Sequence, residues 1–125
     1  MYLKIRSCDI IALMNLRDTR GLDMKNVKIT VLRKQLYEDI AEEYLTDGKD
    51  IECDYYEEGD TFLYTGGAEM PTGFCPWAWI SVYPKVAALV AGATYTPWQK
   101  RDGVTFACCP DGVRPVTFLL EAVDE

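Results

Sequence analysis

The stretch VTFACCPDGVRPVTFLLEAV, Val104 to Val123, decides how this chain folds. Two runs rich in β-branched and aromatic residues flank the turn sequence Pro110-Asp111-Gly112. That pattern predicts an antiparallel hairpin, because proline and glycine supply the backbone angles a tight reversal needs. Strand periodicity puts Val104 and Phe106 on one face with Cys108, and Thr105 and Ala107 on the other with Cys109. Val116, Phe118 and Leu120 form the matching apolar face of the return strand. Cys108 and Cys109 therefore serve one site only if the strand ends between them.

Upstream lies GFCPWAWISVYPKVAALVAG, Gly73 to Gly92. Pro76 suits the first position of a helix, where its missing N–H costs nothing, and Gly92 is a natural stop. Only Ser81 and Lys85 are polar in between. A membrane span of about 20 residues would place Lys85 near its middle, at about 2.5–3.5 kcal/mol. Pro84 would also kink it or divide it into two shorter pieces. A buried helix is the better reading. An all-round apolar helix needs cover on more than one side, which implies a homo-oligomer or burial under residues 1–23.

Further out, Val27, Ile29 and Val31 alternate with Lys28 and Thr30, predicting a half-buried strand. In QLYEDIAEEYL, Leu36, Tyr37, Ile40, Ala41, Tyr44 and Leu45 fall on one helical stripe, with Glu38 and Asp39 in the first turn and Gly48 as a stop. DGKDIECDYYEEGD carries seven acids in fourteen residues. It fails as an EF-hand, since Tyr55 and Thr61 stand where the loop needs Gly and Glu. It reads as a solvated loop, followed by a short strand TFLYT and a turn-rich GGAEMPTG. The expected fold is α+β: a small, mainly antiparallel sheet with helices packed on one face and a C-terminal β-hairpin. Residues 24–125 form one compact domain, and 1–23, which lack periodicity, an N-terminal extension.

The chain has 125 residues and a net charge of −7, which disfavours nucleic acid and anionic membranes. It has no histidine, so imidazole catalysis and His-ligated zinc are excluded. Five cysteines, irregularly spaced and without a recognisable signal peptide, fit a reducing cytoplasm. Cys75 precedes Pro76 at a helix start, where unpaired amide donors favour a thiolate. It is the candidate catalytic residue.

The segments VKITVLRKQLYEDIAEEYL, GGAEMPTGFCPWAW and ACCPDGVRPVTFLLE resemble a family of small bacterial and archaeal proteins without an assigned activity. That family carries GFCPWAW-like and CCxDGxRPV-like motifs, and the likeness runs from Met24 to the C-terminus. On this resemblance Cys53 matches the family's first cysteine, with Asp54 where a proline is usual. Cys75 matches the second motif, and Cys108, Cys109, Asp111, Gly112, Arg114 and Pro115 the third. Pro84 departs from the pattern, and Cys8 lies outside it.

Three functions remain open. Cys53, Cys75, Cys108 and Cys109 are candidate ligands for a metal ion or iron–sulfur cluster, although no Cys-x-x-Cys pair occurs. Cys75 with Cys108 or Cys109 as resolving partner would suit thiol redox chemistry. An oligomeric module binding a small molecule or a protein is the leading reading. Its candidate ligand contacts are Trp77, Asp111 and Arg114, although an Arg114–Asp111 salt bridge is the plainer role for that pair. Trp77 and Trp79 fall on opposing helical flanks, so both are not expected in one pocket.

Overall fold

The structure, a computed structural model, describes residues 24–124. Cys8 and the N-terminal segment 1–23 lie outside the described residues. Four strands form one antiparallel sheet: β1 (Asn26–Lys34), β2 (Thr61–Tyr64), β3 (Val104–Cys108) and β4 (Val116–Val123), in the order β2-β1-β4-β3. Two helices, α1 (Glu38–Tyr44) and α2 (Pro76–Val90), complete the α+β architecture.

The alternation in β1 does what its sequence implies. Val27, Ile29 and Val31 are buried, and Lys28 and Thr30 point away. β4 pairs along nearly its whole length with β1, putting Val116, Phe118 and Leu120 on the same inner face. The ladder slips between Val31 and Arg33, a bulge that leaves Leu32 without a partner. The tip of the acidic loop is tied to this spot: Val31 N–H donates to Asp60 O at 2.8 Å, and Gly59 N–H to Val31 O at 2.8 Å.

The C-terminal hairpin forms as expected, with Ala107 opposite Phe118 and Thr105 opposite Leu120. It is therefore Thr105 and Ala107 that join the inner apolar face, while Phe106 turns outward. Gly103 starts this strand at φ +71°, and a Cβ there would sit 3.2 Å from the Ala122 Cβ. The close approach lets Ala122 N–H reach Gly103 O at 2.7 Å.

α2 crosses the inner face between the two edge strands. Ala78, Val82, Val86 and Leu89, spaced by three or four residues, are at most 1% exposed and meet the valines of the sheet. Pro84 does not divide the helix, which runs unbroken from Pro76 to Val90. Pro84 and Ile80 both sit on the exposed outer side, so the Ile80 carbonyl left without a donor faces water. Lys85, the one charge in the run, reaches the edge strand and donates to Phe106 O at 2.6 Å. No helix among the described residues is long and apolar enough to cross a membrane.

α1 departs from its pattern. It ends at Tyr44 with Leu45 as its cap, before Gly48. Of its apolar stripe only Ala41 is buried, while Tyr37, Ile40 and Tyr44 are exposed. Two turns are too short to lay a full stripe on the sheet. The segment is instead held at its entry, where Gln35 N–H donates to Pro115 O and Tyr37 N–H to Val113 O, both at 2.9 Å.

Candidate functional site

Three separated segments with chemistry-bearing residues meet at the start of α2. The hairpin turn supplies the first link. Asp111 Oδ1 accepts the N–H groups of Val113 and Arg114, each at 2.9 Å, closing an Asx-type turn. Asp111 thus serves the backbone, in place of the expected salt bridge to the Arg114 side chain. The Arg114 guanidinium swings the other way. Its Nε donates to Ile51 O at 2.7 Å and its Nη2 to Glu52 O at 3.0 Å, with Asp54 Oδ1 at 4.0 Å. A planar fork suits two adjacent carbonyls, which a lysine could not span. Asp54 gives the clamp a carboxylate.

The clamp fixes the chain just before Tyr55 and Tyr56. The Tyr56 ring is buried, 5.4 Å from the Phe118 centroid and 5.6 Å from that of Phe74, both measured between ring centres. Its hydroxyl accepts the Cys75 N–H at 2.8 Å. Tyr55 OH donates to Phe74 O at 3.3 Å. Burial holds the Tyr56 hydroxyl protonated far above the ordinary phenol range, against the pull of the Cys75 amide, with the Cys75, Tyr55 and Cys53 side chains adding to the rise.

Cys75 is the N-cap of α2, as the position before Pro76 implies, but its side chain makes no capping hydrogen bond. The cap is left to Cys75 O, which accepts Trp79 N–H at 3.0 Å, while Tyr56 takes the Cys75 amide. Cys53 and Cys75 both pack half-buried against the core, close enough to Tyr56 to act on its proton. Cys109 is also half-buried, and Cys108 is exposed. All four thiols are free. Among the described residues, no three His, Cys, Asp or Glu side chains come together in a group that could hold a metal ion. Cys53 and Cys75 lie about Tyr56, whereas Cys109 is held against Val116 and Cys108 faces outward.

Tyr56 is the residue that sequence reasoning missed. It lies in the acidic run that reads as a solvated loop. The available signal was a pair of aromatics, Tyr55 and Tyr56, directly after a cysteine in an otherwise polar stretch. Trp77 and Trp79 do separate as expected. Trp79 packs on Tyr64, Phe74 and Tyr83, whereas Trp77 is 56% exposed on the outer flank beside Ile80.

A second feature lies on the opposite side of the sheet. A groove of about 450 Å³ runs between Leu32, Val104, Phe106 and Leu119, and Trp98 and Arg101 from the preceding loop form its wall. Leu63 on β2 is exposed as well, so an exposed or partly exposed apolar side chain stands on the outer side of each of the four strands. The wall is a built loop. Asp102 Oδ1 accepts the hydroxyls of Thr94 at 2.7 Å and Thr96 at 2.9 Å, and Gln99 N–H donates to Tyr95 O at 2.8 Å. These hydroxyls, Thr94 first, hold the Asp102 carboxyl below the usual carboxylate range. Trp98 is 85% exposed at the lip.

No protein-family model, curated protein or solved structure matches the chain.

Proposed function

We propose that this chain is a non-enzymatic interaction module that works as a homo-oligomer, joined through the outer face of its sheet. The apolar cluster of Leu32, Leu119 and Phe106, on β1, β4 and β3, carries the reading. Exposed contiguous apolar surface rimmed by polar groups marks an association site. Trp98 and Arg101 beside it belong to the residue types that dominate binding energy in interfaces.

A second copy of the chain suits the surface for an electrostatic reason. Lys28 and Glu121 face each other in register, and Glu121 also pairs with Arg101 at 3.5 Å, so the one acid at the centre of the face is balanced by bases. Eleven of the twenty acids lie between residues 38 and 60, outside the sheet strands. Two copies meeting sheet to sheet would bring together apolar faces rather than the surplus negative charge. Sedimentation velocity on the full chain should give twice the chain mass at micromolar concentration. Phe106→Lys should give the monomer with its far-ultraviolet spectrum unchanged, and Ile80→Lys should leave the assembly intact. A stable monomer for the unaltered protein overturns the proposal. Loss of assembly with Ile80→Lys alone moves the contact to α2.

The convergence at Tyr56 favours a second reading, thiol chemistry centred on Cys75. Support comes from the clamp by which Arg114 brings Cys53 toward the Tyr56 hydroxyl and the Cys75 amide. Alkylation of Cys75 only after denaturation would reduce it to packing. The two motif segments carrying Cys75 and Arg114 meet the loop of Cys53 there, which supports membership in the motif-bearing family. An alignment of that family without an aromatic residue at position 56 would remove this support.

A further inference from the structure

β3 is an edge strand, since among the strands only β4 pairs with it. Its two ends fix which backbone groups face outward. Cys109 N–H donates to Val116 O at 3.1 Å, and Ala122 N–H donates to Gly103 O at 2.7 Å. The odd-numbered residues of this segment therefore turn their backbone groups toward β4, and those of Val104, Phe106 and Cys108 point away from the sheet. Among the described residues, the one partner of these outward groups is Lys85, whose Nζ donates to Phe106 O at 2.6 Å. The opposite edge offers less, because β2 has four residues and turns only Thr61 and Leu63 outward.

Lys85 is the single charge between Gly73 and Gly92, and it is exposed. Among the described residues, no carboxylate pairs with it. An ammonium has three donors, and the Phe106 carbonyl uses one. Ser81 and Ala88, four residues before and three after, stand on the same flank of α2 and are short. The flank of the helix beside the open edge thus carries one uncompensated cation between two small side chains.

We propose that the β3 edge binds an extended peptide segment as a fifth strand, with apolar residues on its outer side and a carboxylate on its α2 side that pairs with Lys85. In an added antiparallel strand, the residues opposite Val104, Phe106 and Cys108 share the outer face with them, beside the exposed Phe106 ring. The residues between them face α2. A carboxylate there meets an ammonium otherwise matched only by a neutral carbonyl. That carbonyl has two lone pairs, so it can accept from Lys85 and from a peptide N–H together. Main-chain hydrogen bonds supply the affinity in this kind of strand addition, and the alternate side chains supply the choice. A lysine on an edge discourages pairing with segments that bring no acid, which makes the carboxylate the selecting feature. The inference rests on the interaction-module reading but not on the dimer, since the groups it uses lie in the plane of the sheet and not on its outer face.

The test is acetyl-Thr-Val-Glu-Val-Thr-Val-Thr-amide titrated into the isotope-labelled full chain and read by amide chemical shifts. Saturable shifts should appear at Val104, Phe106 and Cys108. N-methylation of the central valine, whose N–H donates to Phe106 O in this arrangement, should weaken binding about tenfold. N-methylation of the threonine after it, whose N–H faces solvent, should leave binding unchanged. Glutamine in place of the glutamate should weaken binding about threefold, as an exposed ion pair implies. Lys85→Ala should weaken the glutamate peptide by the same factor and the glutamine peptide not at all. No saturable shift at millimolar peptide overturns the proposal, as do shifts confined to Leu32 and Leu119, or undiminished binding of the peptide methylated at its central valine. Equal binding of the glutamate and glutamine peptides removes Lys85 from the site and overturns it too. Sedimentation of the same samples separates the two proposals: peptide binding to a monomer sinks the dimer alone, and a dimer without peptide binding sinks the edge site alone.

Discussion

The two faces of the sheet are made from the same four strands and differ in what covers them. On the inner face, Ile29, Val31, Val116, Phe118 and Leu120 are at most 1% exposed beneath α2. On the outer face, Leu32 and Phe106 stand 41% and 38% exposed along an open groove, and Leu63 is 46% exposed on the edge strand β2. A sheet with one wet face alternates apolar and polar residues cleanly, whereas strands apolar on both sides belong to sheets covered twice. β1 and β4 combine the two habits. Lys28, Thr30, Thr117 and Glu121 suit water, and Leu32 and Leu119 do not. The outer face thus leaves part of its apolar surface open, whereas α2 covers the inner face.

The largest test of that contrast compares two phenylalanines on neighbouring strands. Phe118 is fully buried and its ring lies 5.3 Å from that of Phe74 and 5.4 Å from that of Tyr56, centre to centre. Phe118→Ala should cost about 3–5 kcal/mol in urea unfolding, the usual loss for a buried aromatic. Phe106→Ala, on the outer face, should cost about 1 kcal/mol or less at concentrations where the chain is monomeric. Equal losses would show that the outer face is as much core as the inner one.

A smaller effect is expected at the clamp that organises the inner end. Arg114→Ala removes two charge-assisted hydrogen bonds to the Ile51 and Glu52 carbonyls. It should lower stability by about 2 kcal/mol. Iodoacetamide labelling of Cys53 should accelerate as its loop is released. Arg114→Lys should restore less than half of the loss, since an ammonium cannot fork across both carbonyls. Full rescue by lysine would make the contact one of charge alone.

The smallest effect concerns the loop that walls the outer groove. The Asp102 carboxyl, held low by Thr94 and Thr96, is fully exposed, so its contribution is local. A depressed carboxyl stabilises above its unfolded value near 3.9 and loses that contribution as pH falls through its lower folded value. Trp98 fluorescence should therefore be flat from neutral pH to about 5, then shift below about 4. Asp102→Asn should abolish that acid step. A step that persists in the variant belongs to other carboxylates.

What was legible in the sequence was local. Alternation in β1, the Pro-Asp-Gly hairpin, and Pro76 and Gly92 as the limits of α2 all rest on neighbours in the chain, and these elements form as read. What was not legible depended on contacts between distant residues. Nothing near Arg114 indicates that its partners lie 62 and 63 residues away. Tyr56 takes its burial from Phe74 and Phe118, while the chain on either side of Tyr55 and Tyr56 is acidic. The stripe on α1 indicated burial, but a seven-residue helix buries only Ala41 of it. The separation of Cys109, held against Val116, from the exposed Cys108 turned on where β3 ended, a boundary that periodicity leaves uncertain by a residue or two.

The claim that a second copy covers the outer face is tested most directly by placing a photo-cross-linking benzoylphenylalanine at position 106 of the full chain. Irradiation at micromolar concentration should give a covalent dimer. The linked peptides should map to outer residues of β1 and β4 in the second copy, with Leu32 and Leu119 foremost. Cross-links confined to a single chain, or a dimer joined only to Trp77 and Ile80 of α2, would contradict it.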